Sequence, residues 1–159
     1  MIAKEPESQT ILVPVDFSPH SEAALLLASE LATALHSTLV VLHVVHDPGE
    51  APGFYAGKRK KKKDFRKMDD VASEMMDEFL QRIVEKHPKS KVLKHADTIL
   101  TVGLPVSRIL EIAKRIKASM LVMGSQGRTG LKHVLLGSKA EQVVHLCPIP
   151  VTIVKNEPR

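Results

Sequence analysis

Ser119-Met120-Leu121-Val122-Met123-Gly124-Ser125-Gln126-Gly127-Arg128-Thr129-Gly130 runs from an apolar stretch straight into a glycine-rich turn. Ser119 to Met123 reads as a buried strand. Gly137-Ser138 follows Gly130 by seven residues, and Lys139-Ala140-Glu141-Gln142-Val143-Val144 then reads as a helix. The pattern is strand, glycine loop, helix start, with the spacing Gly-x2-Gly-x9-Gly-Ser from Gly124 through Gly127 to Gly137 and Ser138. Glycine lets the backbone come close to a ligand. A helix N-terminus offers free N–H groups and a partial positive charge, which suit a phosphate. The segment therefore points to an α/β domain that binds a nucleotide.

Near the start of the chain, Ile11-Leu12-Val13-Pro14-Val15 is a short apolar run and reads as the first strand. Ser18-Pro19 reads as an N-cap with proline at the first helical position. The first helix carries Ala23, Ala24, Leu27, Ala28, Leu31 and Leu35 at helical spacing. Thr38 to Val45 is apolar almost throughout, as a strand covered on both faces would be. Residues 46–64 are rich in Pro, Gly and Lys and read as a long, mobile basic loop. A second helix is expected from about Phe65 to Lys86, with Met68, Ala72, Met75, Met76, Phe79 and Ile83 along a stripe that reads as core. The third strand falls within Lys91 to Thr101. Leu104-Pro105 opens a helix bearing Val106, Ile109, Leu110, Ala113 and Ile116. Pro148 and Pro150 bracket the final strand, Val151 to Val154.

The alternation β-α-β-α-β-α-β-α-β predicts a single α/β domain, with a five-stranded parallel sheet covered by helices on both faces. Such sheets bind ligands at the carboxyl ends of the strands, where the strand order reverses. The polar residues expected there are Asp16, Ser18, Thr101, Ser125, Gln126 and Arg128.

At 159 residues the chain is the size of one domain. It has one Tyr, four Phe and no Trp, so a nucleobase would lie against aliphatic side chains and backbone. Cys147 is the single cysteine, which leaves no disulfide framework or cysteine-rich zinc site, and it reads as a buried small hydrophobe. His43 and His46 would face opposite sides of a strand, which argues against a metal pair. No apolar run is long enough to span a bilayer, and the start of the chain has no signal-peptide pattern. A cytoplasmic location is expected. The net charge of +5 is local: without the six charges of Lys58-Arg59-Lys60-Lys61-Lys62-Lys63 the rest stands at −1. That run reads as solvated charge, with nucleic acid or another anionic partner, a membrane or other anionic surface, a protein partner, or a localisation signal as functional alternatives.

The chain has no Gly-x4-Gly-Lys-Ser/Thr and no Gly-x-Gly-x-x-Gly after its first strand, which excludes the P-loop and the dinucleotide fingerprint. It resembles instead the ATP-binding branch of the universal stress protein family. The resemblance rests on Ile11 to Ser18, Leu39 to Val45, Gly103-Leu104-Pro105, Leu121 to Leu131, Leu135 to Ser138 and Cys147 to Val154. It implies the strand order 3-2-1-4-5, an ATP ligand with Mg²⁺ or Mn²⁺ bridging its phosphates, and a homodimer joined through the strand 151–154. It also implies that Pro14, Val15 and Asp16 line the adenine and ribose pocket, with Val41 to Val44 as part of its apolar wall. Met123 and Gly124 would lie beside the ribose. Gly127, Arg128, Gly137, Ser138 and Lys139 would hold the phosphates, largely through backbone N–H groups. Lys139 departs from the family's common uncharged residue after Gly-Ser.

Each of these residues has a plainer reading. Asp16 suits a helix cap, the glycines suit turns, and Ser138 suits an N-cap as well as a phosphate contact. If Gly124 serves only the ligand, Gly124→Val abolishes binding and leaves the domain folded. Hydrolysis needs a positioned water and a residue to orient it. The motif supplies binding, and only His133 offers itself near the expected γ-phosphate. A regulatory nucleotide-binding module is therefore the leading expectation. Slow ATP hydrolysis or autophosphorylation, and a nucleotide-independent adaptor acting through the basic run, are the alternatives.

Overall fold

Five short runs of the chain pair side by side in one parallel sheet. They are β1 (Thr10–Pro14), β2 (Thr38–Val45), β3 (Asp97–Val102), β4 (Met120–Gly124) and β5 (Val151–Val154). A computed structural model describes residues 9–46, 68–127 and 136–156. The strand order is β3-β2-β1-β4-β5, as expected, with the reversal between β1 and β4. The connecting helices are α1 (Pro19–Leu35), α2 (Met68–Lys86), α3 (Lys91–Lys94), α4 (Pro105–Arg115) and α5 (Ser138–Leu146).

Successive residues of a strand face opposite sides, so one strand feeds two cores. Ile11, Val13 and Val15 pack with Val41, with Ala24, Leu25 and Ala28 of α1, and with Phe79 and Ile83 of α2. Leu12 points the other way, joining Leu42, Val44, Leu121 and Met123 against Ile109 and Ile112 of α4 and Val143 of α5. The central strands are consequently buried on both faces, which is why β2 reads as nearly continuous apolar sequence.

The helices depart from the sequence reading in detail. In α1 the fully buried apolar residues are Ala24, Leu25, Ala28 and Ala32, whereas Leu35 is exposed. The row Ala23, Leu27, Leu31 and Leu35 is the flank of the helix, and the row of alanines is its floor. Small side chains let α1 lie close to the sheet. The α2 stripe is core, as expected: Ala72, Met76, Phe79 and Ile83 are buried together with Val71. Met68 and Met75 are half-buried and pack around Val45, Val71 and Ala72. The expected start of this helix at Phe65 lies outside the described residues, as do residues 47–64 of the expected basic loop. Glu22 of α1 pairs with Arg82 and Lys86 of α2 at 3.1 and 3.3 Å, exposed contacts worth at most about 1 kcal/mol each.

The third strand begins later than Lys91. Residues Lys91–Lys94 form the single turn α3, because Ser90 caps it by accepting the Leu93 N–H at 3.3 Å. β3 then runs along the sheet edge with Leu100 and Val102 exposed. Cys147 is half-buried at the margin of the α4–α5 layer and not fully enclosed.

Candidate functional site

The backbone of β1 alternates its hydrogen bonds between its two neighbours. The Gln9 carbonyl and the Val15 N–H face β2, accepting from Thr38 and donating to Leu42 respectively. The Thr10 carbonyl faces β4 and accepts from the Ser119 N–H at 2.8 Å. By this alternation Pro14 presents its nitrogen to β4, and proline has no hydrogen to donate. The β1–β4 register accordingly covers only Ile11–Met120 and Leu12–Leu121, while β1 stays paired with β2 as far as Pro14–Leu42. The two central strands part at their carboxyl ends, and the crevice between them is where strand order reverses.

One wall of this crevice is the turn Val15-Asp16-Phe17-Ser18. Ser18 is the N-cap of α1 and accepts the Ser21 N–H at 3.2 Å. Asp16 does not cap the helix; its Oδ1 accepts the Ser18 N–H at 3.1 Å, which folds the carboxylate back over the turn. Phe17 has φ +64°, a left-handed conformation that costs a non-glycine residue roughly 1–3 kcal/mol and persists only where its surroundings enforce it. Its ring is stacked on His43, with centroids 4.3 Å apart, and backed by Phe79 at 5.4 Å.

The other wall is the glycine segment. The Ser125 N–H donates to the Val154 carbonyl at 2.8 Å, extending β4 against β5. The Gly137 N–H then donates to the Ser125 carbonyl at 2.7 Å. This bond brings the two ends of the segment together and places the start of α5 beside Gly127. Among the described residues no side chain caps α5: its N-cap is Gly137 and not Ser138, which is the first helical residue. Ser138 and Lys139 are exposed there, and the helix presents its N-terminal dipole to the crevice.

The glycines have distinct tasks. A Cβ on Gly127 would stand 2.8 Å from Asp16 Oδ2, so the missing side chain leaves the space the two walls share. A Cβ on Gly137 would meet the Ser125 carbonyl at 3.3 Å. A Cβ on Gly124 would instead stand 2.8–2.9 Å from the backbone and Cβ of His20. Gly124 thus lets the first turn of α1 lie against the end of β4, and its glycine is required by the fold itself. The expectation that Gly124→Val spares the fold is therefore corrected. His20 Nδ1 is buried at this junction and has no hydrogen-bond partner among the described residues.

The structure gathers Pro14, Val15, Asp16, Gly124, Ser125, Gly127, Gly137, Ser138 and Lys139 around the ends of β1 and β4. Val41 is fully buried, opposite Val13, with its surface taken up by packing. Met123 is buried on the opposite layer. Thr101 lies on β3, separated from the crevice by β2. Arg128 and His133 lie outside the described residues, as does the basic run 58–63. His43 falls within the expected apolar wall Val41 to Val44, but its bond to Val15 and its stack on Phe17 were not foreseen, and Phe17 was given no role of its own. The signal was the single residue between Asp16 and the N-cap, which must reverse the chain alone. A separate open groove of about 930 Å³ lies between the second half of α1 and Lys86–Leu93, away from the crevice.

These contacts separate two substitutions. Gly127→Ala meets only the end of a short side chain, so its melting temperature should stay within a few degrees of the wild type. Gly124→Ala drives a methyl into helix backbone and should lose about 1–3 kcal/mol in urea denaturation. Equal stability of the two variants would contradict this assignment.

Comparisons with known proteins agree with the geometry. Residues 7–155 match the model of the universal stress protein family. Universal stress protein MJ0577 of Methanocaldococcus jannaschii is 30% identical over 156 residues, covering 92% of this chain and 94% of its own. Universal stress protein YxiE of Bacillus subtilis is 33% identical over 147 residues, covering 91% and 97%. Among solved structures, MJ0577 superposes with a TM-score of 0.71 at 26% identity, over 95% of this chain and 98% of its own. A universal stress protein solved in complex with cAMP superposes with a TM-score of 0.58 at 25% identity, over 93% and 97%. The chain belongs to the universal stress protein family.

Proposed function

We propose that the chain is an ATP-binding regulatory module of the stress response that works in the cytoplasm. The observation that carries this reading is the apposition of Asp16 and Gly127 across the crevice, with the start of α5, uncapped by any side chain among the described residues, held beside them by the Gly137–Ser125 bond. An adenine nucleotide fits the residues present. The space a Cβ would fill at Gly127 admits close backbone approach, and an open helix N-terminus suits phosphate. The relative solved with cAMP supports the adenine class of ligand. No helix among the described residues is long and apolar enough to cross a membrane.

In this reading Pro14, Val15 and Asp16 hold the adenosine end, and the Asp16 carboxylate accepts a hydrogen bond from the sugar. Met123, Gly124 and Ser125 form the floor beside it, and Val41, buried opposite Val13, backs β1 from within the core. Gly127, Gly137, Ser138 and Lys139, with Arg128, receive the phosphates. A bound Mg²⁺ or Mn²⁺ would neutralise phosphate charge, its coordination coming mainly from the nucleotide. Among the described residues no group of three or more His, Cys, Asp or Glu could hold a metal by itself.

Isothermal titration with ATP and Mg²⁺ tests the reading. Wild-type protein should bind, and Asp16→Ala should weaken binding by about ten- to a hundredfold, the worth of a hydrogen bond to a charged group. No heat at millimolar ATP would overturn the proposal.

We also propose a homodimer through β5, whose outer edge is unpaired among the described residues. The Pro150 and Val154 carbonyls accept from Leu121 of β4 and from Ser125 just beyond its end. Alternation then points the Val151 and Ile153 backbone outward and the Thr152 backbone inward. Thr152→Pro would damage the sheet itself, so Ile153→Pro is the proper probe of the edge. Sedimentation should show a dimer in the wild type and a folded monomer for Ile153→Pro. A dimer that survives the change would exclude this interface.

A further inference from the structure

Three consecutive residues, Val15, Asp16 and Phe17, form the turn at the head of the crevice, and one imidazole touches both of the outer two. His43 is buried in β2, and its Nδ1 donates to the Val15 carbonyl at 2.8 Å, which requires the hydrogen on Nδ1. The flat face of the same ring carries Phe17, with centroids 4.3 Å apart and planes inclined by 30°. Phe79 closes the far side of Phe17, and Arg82 lies over Phe79 at 5.6 Å. The left-handed backbone at Phe17 is held by this stack. The β1–β2 ladder ends at Pro14–Leu42, so His43 takes up the chain just where regular pairing stops.

We infer that His43 is a positioning residue of the nucleotide site, fixing Asp16 by gripping both of its chain neighbours. Asp16 has two carboxylate oxygens to place: Oδ1 on the Ser18 N–H, and Oδ2 toward Gly127. A rotation of the turn by either neighbour moves Oδ2 away from the shared space. The imidazole supplies a donor and a platform together, which an aliphatic residue in this strand position cannot do. The inference rests on the nucleotide reading for its consequence, but the grip on Asp16 exists without ligand.

The test uses the full chain and two readouts. His43→Phe keeps a stacking ring and removes the donor; His43→Asn keeps an amide donor near the Nδ1 position and removes the ring. In ligand-free protein, His43→Phe should speed hydrogen exchange of the Ser18 amide about tenfold, leaving Leu12 and Val13 unchanged. In titrations with ATP and Mg²⁺ it should weaken binding about tenfold in the wild type and less than about twofold in an Asp16→Asn background, because the two residues act as one unit. A structural role alone would give equal losses in both backgrounds. Unchanged Ser18 exchange, or equal losses, overturns the inference. If wild-type protein ignores ATP the nucleotide reading fails, and Ser18 exchange alone decides the grip. Should His43→Phe not fold, His43→Asn carries the same two measurements, with the same outcomes required.

Discussion

Pro14 cannot give a hydrogen bond to β4, and much of the site follows from that single missing donor. Had β1 and β4 stayed in register to their ends, Asp16 would lie against Ser125 as one more strand pair. Because they part after Leu12 and Leu121, the chain has room for a turn on one side and a glycine segment on the other. Gly124 lets α1 descend onto the end of β4, and the Gly137–Ser125 bond returns α5 to the same place. The crevice is therefore framed by backbone, which suits a ligand recognised through its phosphates and sugar in a protein poor in aromatic side chains.

The architecture was readable because its signals are strong and local. Apolar runs such as Thr38–Val45 are too short for buried helices and too continuous for half-exposed strands, and the strand–glycine–helix passage at Met120–Lys139 matches the observed β4 and α5. The sheet order came from the family resemblance, and the pairing bears it out. The positions of Asp16, Gly127 and Gly137 at the switch point were legible for the same reason.

What escaped the sequence depends on contacts between distant segments. The buried face of α1 is set by how closely alanines let it approach the sheet, so a row of leucines misled the reading. Lys91–Lys94 is helical because Ser90 caps it, which overrides the weak strand signal around it. Gly124 looks like a ligand glycine in sequence, and only the approach of His20 shows that it serves packing. His43 falls in the expected apolar wall, but its Nδ1 bond to Val15 and the stack of Phe17 on its face join segments far apart in the chain. The inward direction of Thr152 follows from hydrogen-bond parity, which composition does not carry.

The proposed function requires that one crevice, framed by Asp16, Gly127, Gly137 and Ser138, hold an adenine nucleotide. Nitrogen–proton correlation spectra recorded during titration with ATP and Mg²⁺ test it most directly. The amides of Asp16, Ser125, Gly127, Gly137 and Ser138 should shift together, with those around Lys86–Leu93 unmoved. An unchanged spectrum at millimolar ATP, or shifts confined to the groove beside α1, would contradict it.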